Sequence, residues 1–129
     1  MTTIDDYAFY ECTNLSEINI PEALTSMGRC VFYDCTSIKS VTIPDGVTTI
    51  SDFAFSFCDS LQSVSLPVAL NSIGSAAFQS CYSLTSIDIP DAVTTIGSFA
   101  FGHCTQLSSV TIPDEVTVIN EFTFTNVPA

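Results

Sequence analysis

The chain predicts a β-rich solenoid: about five stacked 23-residue coils, with a parallel sheet of short strands on one face. Three observations carry this. Cys12, Cys35, Cys58, Cys81 and Cys104 stand 23 residues apart, and Pro21, Pro44, Pro67, Pro90 and Pro113 keep the same interval. A third column holds Phe9, Phe32, Phe55, Phe78, Phe101 and Phe124. A fixed period between about 20 and 50 residues is the mark of a structure in which each unit buries its apolar side on its neighbours.

Within one unit the order is A-F-x-x-C-x-x-L-x-x-I-x-I-P-x-x-V-x-x-I-G. The Ala-Phe-x-x-Cys piece places apolar residues at i, i+1 and i+4, which suits one turn of helix held by packing. The segment Leu15–Ile20 follows, apolar at 15, 18 and 20. Its end alternates at period two, as in a half-buried strand. Pro21 has no N–H for a ladder and closes the strand. Val47-Thr48-Thr49-Ile50 and its copies form a second, shorter extended piece. The column Asp5, Gly28, Ser51, Gly74, Gly97 and Asn120 suits a turn. One domain spans 1–129, with repeats at about 4–26, 27–49, 50–72, 73–95 and 96–118 and a partial one at 119–126.

These columns resemble the BspA-like leucine-rich repeats, a 23-residue class of the leucine-rich repeat superfamily. The matching residues run from Ile4 to about Phe124. The resemblance implies a right-handed leucine-rich repeat stack and a surface or secreted protein concerned with adhesion or protein binding, not an enzyme. The asparagine ladder of common leucine-rich repeats is missing: Ala23, Gly46, Ala69, Ala92 and Glu115 stand where it is expected. The cysteine column is the feature of this class instead.

Composition excludes several functions. The chain has 14 acidic residues, two basic ones (Arg29 and Lys39) and a net charge of −12. A phosphate backbone would be repelled, so nucleic acid is not expected as a partner. An anionic membrane surface is disfavoured for the same reason. Hydrophobic content is 47%, yet no apolar run approaches the ~18 residues of a spanning helix, so no membrane insertion is expected. The first residues, Met-Thr-Thr-Ile-Asp-Asp, lack the basic and apolar regions of a signal peptide. The pattern starts and stops inside a repeat without a polar cap, as expected of a fragment of a longer chain, or of a unit whose ends something else covers.

Columns that vary from coil to coil are expected outside. On the strand they are Glu17 and Asn19, Lys39 and Thr42, Gln62 and Ser65, Thr85 and Asp88, and Ser108 and Thr111. In leucine-rich repeat proteins this is the usual ligand face, and a protein ligand of unknown identity is the partner expected here. A second variable patch flanks the cysteines: Tyr10, Glu11, Tyr33, Asp34, Phe57, Tyr82 and His103. It is either a contact surface or aromatic side chains lying over the coil. Self-association through uncapped solenoid ends is a further expectation, because head-to-tail contacts propagate.

No chemical site stands out. Five thiols in one inward column read as small buried hydrophobes. Their Cβ vectors run parallel, which opposes disulfides, and no C-x2-C pair supports zinc. Cys30 shares its column with Tyr7, Phe53, Ala76, Phe99 and Phe122, which makes it the candidate accessible thiol. Glu22, Asp45, Asp91 and Asp114 follow prolines, as turn residues do; a calcium ion could bridge such a row, but no coil supplies six oxygen ligands. His103, the only histidine, has no nucleophile in reach, because neighbouring Cys104 belongs to the inward column. Neither a catalytic residue nor a cofactor is expected. Asn14-Leu15-Ser16 is a glycosylation sequon, relevant if a eukaryotic secretory pathway makes the chain.

Overall fold

A computed structural model describes residues 2–117, 119–120 and 122–128. The chain winds into a parallel-strand β-solenoid of about five turns. Its described strands are β1 (Thr3–Ile4), β2 (Ser26–Met27), β3 (Ser40–Thr42), β4 (Thr49–Ile50), β5 (Ser63–Ser65), β6 (Ser72–Ile73), β7 (Ser86–Asp88), β8 (Thr95–Ile96) and β9 (Ser109–Thr111). Every pairing is parallel and joins equivalent residues of consecutive coils, such as Thr49 with Ser72 and Ser40 with Ser63. On one side lie β1–β2 and β4–β6–β8, the latter continued by a bridge from Ile96 to Ile119. On the other lie the pairs β3–β5 and β7–β9.

Between the two sides runs an apolar interior built from the repeat columns. Phe32, Phe55, Phe78 and Phe101 are completely buried, as are Leu24, Ile38, Leu61, Leu70 and Leu84. The six phenylalanines form a continuous spine. Successive ring centroids lie 5.3 to 5.6 Å apart, with planes within 16° of parallel, the offset stacking that aromatic quadrupoles favour. The first coil is looser: Phe9, Cys12, Leu15, Ile18 and Ile20 are only half-buried.

The Ala-Phe-x-x-Cys piece is not helical, and no helix occurs among the described residues. It is a run of successive turns. Alternate N–H groups stay in the coil, as from Ala8 to the Asp5 oxygen, Tyr10 to Tyr7 and Cys12 to Phe9. The others cross to the next coil, as from Tyr7 to the Arg29 oxygen (2.9 Å), Phe9 to Val31 (2.9 Å) and Glu11 to Tyr33 (2.7 Å). Two columns must take left-handed backbone for this: Tyr7, Cys30, Phe53, Ala76 and Phe99, and Glu11, Asp34, Phe57, Ser80, His103 and Asn126, with φ between 53° and 61°. Such residues cannot continue a right-handed helix. The bonds to the adjacent coil replace those a helix would have made within itself.

The glycine column also differs from expectation. None of the described glycines has positive φ. At its glycines the preceding coil approaches closely, whereas Ser51 and Asn120 in the same column turn a side chain onto that coil's Met27 and Ile96 carbonyls. A Cβ at Gly74 would lie 2.7 Å from the Asp52 nitrogen and 2.9 Å from the Ser51 carbonyl carbon. At Gly97 it would meet the Ser75 nitrogen and the Gly74 carbonyl carbon, again backbone that has little room to retreat. Gly97→Ala is therefore expected to cost about 1–3 kcal/mol of stability by forcing two coils apart. Urea denaturation measures it, and an unchanged midpoint would contradict the close-approach account.

The strand-side sheet is not continuous. Leu15–Ile20 forms no strand, and no ladder joins β5 to β7. In the first coil Glu17 and Asn19 stand where the next coil has Ser40 and Thr42; both residue types are depleted in strands, and here two fall in one segment, whereas β7 holds the single Asp88. Nothing in the structure explains the gap between β5 and β7.

Candidate functional site

All ten residues expected on the ligand face are exposed: Glu17, Asn19, Lys39, Thr42, Gln62, Ser65, Thr85, Asp88, Ser108 and Thr111. Strand alternation puts them there. In β3, β5 and β7 the central residue (Val41, Val64, Ile87) is buried and its neighbours point out. Register brings Thr42 beside Ser65 and Asp88 beside Thr111. The Ser108 hydroxyl donates to the Thr85 carbonyl at 3.3 Å, and Gln62 N–H donates to the Lys39 carbonyl at 2.8 Å. Because the ladder is interrupted, the face is a set of paired strips.

A concavity lies where the first coil parts from the second. A cleft of about 1000 Å³ is lined by Glu17, Ile18, Asn19, Ile20, Glu22, Lys39, Ser40, Thr42, Ile43 and Asp45 among others. Four of the ten expected face residues thus share one recess. The lining includes three carboxylates, from Glu17, Glu22 and Asp45, and one amine, that of Lys39. Arg29, the other cation, is occupied: its backbone N–H donates to Asp6 Oδ1 at 2.8 Å and its guanidinium lies 3.4 Å from Asp6 Oδ2. Among the described residues Lys39 makes no ion pair. The recess was not legible as such, because the period predicts one more paired strand there.

The second patch is an aromatic strip. Tyr10 stacks on Tyr33 at 5.0 Å, and Tyr33 meets Phe57 edge-on at 5.5 Å. Tyr7 joins at 5.4 Å from Tyr10, and Phe53 at 6.4 Å from Tyr33. Rings of adjacent coils therefore cover one another, so part of this aromatic area is already satisfied within the chain. His103 Nδ1 pairs with Asn126 Nδ2 at 2.9 Å, while the adjacent Cys104 thiol points inward. Cys30 is half-buried.

The cysteine column has a role that its apolar surroundings concealed. All six cysteines are free. Cys35, Cys58, Cys81 and Cys104 donate their S–H to the carbonyls of Phe9, Phe32, Phe55 and Phe78, each in the preceding coil, at 3.1 to 3.2 Å. The same four carbonyls also accept the N–H of the cysteine in their own coil: Cys12, Cys35, Cys58 and Cys81. Both lone pairs of each are thus used. This thiol ladder ties coil to coil in the absence of an asparagine ladder. Burial raises the thiols, Cys35 to about 11 and Cys104 to about 12, so they remain protonated donors and poor nucleophiles. Among the described residues no cluster of three or more metal-ligating side chains is assembled. Glu22, Asp45, Asp91 and Asp114 are all exposed.

A family model described as a BspA type leucine-rich repeat region matches residues 2–129 in six copies. The chain belongs to this family. Solved structures agree. A leucine-rich repeat protein from Bacteroides ovatus shares 39% identity at a TM-score of 0.85, over 88% of this chain and 29% of that one. A leucine-rich cell surface protein from Faecalibacterium prausnitzii shares 40% at 0.82, over 85% and 29%. The leucine-rich repeat protein of T. pallidum shares 36% at 0.84, over 87% and 52%. The chain spans less than a third of the first two and about half of the third. No curated protein matches it.

Proposed function

We propose that the chain is a non-enzymatic protein-interaction or adhesion module of a surface or secreted protein, and that the strand side is its binding face. The observation that carries this is the recess between the first two coils, where exposed, unlike side chains surround open backbone. The description of the F. prausnitzii relative as a cell surface protein supports the location. No nucleic acid and no inserted membrane segment enters this reading: two cations against 14 carboxylates offer a polyanion nothing.

The test uses displayed peptide libraries selected on this chain. Replacing Lys39, Gln62, Thr85 and Asp88 together is expected to weaken the selected binders about tenfold or more, while the melting temperature stays unchanged because all four are exposed. Unchanged affinity would remove the strand face from the account.

A second reading, association of copies through the end coils, is favoured by Phe9 and Phe124. Both are half-buried, and each stacks on one ring neighbour. Light scattering over a wide concentration range tests it: mass growing with concentration supports it, and a constant mass removes it.

A further inference from the structure

We propose that the cleft between the first and second coils receives an extended cationic chain segment, which enters as an added β-strand between residues 16–20 and β3. This rests on the reading of the strand side as the binding face and names what that face takes.

The cleft is a wedge with a fixed back. Elsewhere the two coils are fastened. Thr3 and Ile4 pair with Ser26 and Met27. The turn N–H groups of Tyr7, Phe9 and Glu11 reach the second coil, and the Cys35 thiol reaches the Phe9 carbonyl at 3.1 Å. Only the strand side parts. A fixed back keeps the two walls facing each other, so a guest does not have to organise them first.

Both walls offer unpaired backbone, extended strand in β3 and non-strand in residues 16–20. Among the described residues, no backbone hydrogen bond is made by residues 16–20. On the opposite wall β3 pairs with β5 alone. Successive residues of a strand direct their N–H and C=O to opposite edges. Ile43 N–H reaches the Ser65 oxygen at 2.9 Å, so Thr42 and Ser40 present theirs to the cleft. Ile18 and Ile20 occupy the columns of Val41 and Ile43, so a guest that draws residues 16–20 into a strand would turn theirs toward it across the cleft. A segment with free edges on both sides satisfies donors and acceptors on both walls, the arrangement of strand addition.

The side chains specify the guest. Ile18 and Ile20 are half-buried, whereas their column mates Val41 and Ile43 are 4% and 2% exposed. Apolar side chains on one face of the guest would cover them. Side chains on its other face would meet Glu17, Glu22 and Asp45, three carboxylates against Lys39. The guest is thus a proline-free segment alternating apolar residues with lysine or arginine.

An end-blocked peptide alternating valine and lysine tests this on the full chain, beside the same peptide methylated at alternate backbone nitrogens. Binding is expected to slow amide hydrogen exchange at Ile18, Ile20, Ser40 and Thr42. Backbone methylation is expected to abolish it. The double variant Glu17→Lys, Asp45→Lys should weaken it about tenfold or more and flatten its salt dependence, with the melting temperature unchanged. Equal binding of the methylated peptide, or a footprint confined to the later coils, would overturn strand addition while leaving the strand side as the binding face. Absence of binding, with the four amides exchanging freely, would also overturn it; the library selection then decides separately whether the strand side binds at all. Protection that grows with protein concentration without peptide would assign the cleft to a second copy of the chain and overturn the cationic guest.

Discussion

Phe78→Ala is expected to lower the unfolding free energy by about 3–5 kcal/mol, the range for deleting a fully buried aromatic ring. The residue is completely buried and stacks on two rings, Phe55 at 5.3 Å and Phe101 at 5.6 Å. Each stacked pair contributes about 0.5–1.5 kcal/mol beyond burial. The position also lies where two coils meet, and in a solenoid stability is a sum over coils and the interfaces between neighbours. Phe9→Ala should cost much less, because Phe9 is half-buried and stacks only on Phe32. Urea denaturation of both variants gives the comparison. Equal costs would mean that the spine does not couple coils as its geometry implies.

The architecture was legible because each interior position recurs at one interval. A side chain facing the axis in one coil faces it in all, so Phe9 predicts the burial of Phe32, Phe55 and Phe78. The same logic placed the variable strand residues outside, from Glu17 to Thr111. What stayed hidden depends on backbone geometry that side-chain type does not report. Left-handed residues are foreseen from glycine or asparagine, yet here those positions hold Tyr7, Phe53, Phe57 and His103. The neighbouring coil over-determines them through its hydrogen bonds, which no local pattern displays. The local pattern of the tandem turns therefore matches that of a helical turn.

The recess was hidden for a related reason. Period predicts that Leu15–Ile20 pairs as its copies do, and only the substitutions Glu17 and Asn19 hint otherwise. The thiol ladder was half legible. Apolar neighbours correctly implied burial, but a donor role needs a carbonyl aimed at the sulfur, and that carbonyl belongs to a residue 26 positions earlier. The persistence of cysteine where valine or alanine would fill the slot was the available signal.

Alkaline pH is expected to unfold the chain steeply, and the inner thiols set the slope. Burial raises Cys35 to about 11 and Cys104 to about 12, and raises Cys58 and Cys81 as well, with the neighbouring thiols adding to the last two. Only the neutral thiol can also donate to the phenylalanine carbonyl. The folded values thus lie above the unfolded value of about 8.5. Stability from this source is complete below about pH 8.5 and is lost as pH rises toward the folded values. Each thiol that ionises only on unfolding contributes a slope of about 1.4 kcal/mol per pH unit. Four together give about 5 kcal/mol per unit, comparable to the whole stability of a small domain. Urea midpoints under reductant between these limits measure the slope. Cys81→Ala should remove about a quarter of it, and lower stability at neutral pH by about 1–2 kcal/mol through the lost sulfur and its bond. Stability independent of pH across that window would show that the thiols reach water in the folded chain, and the ladder would then not be what joins the coils.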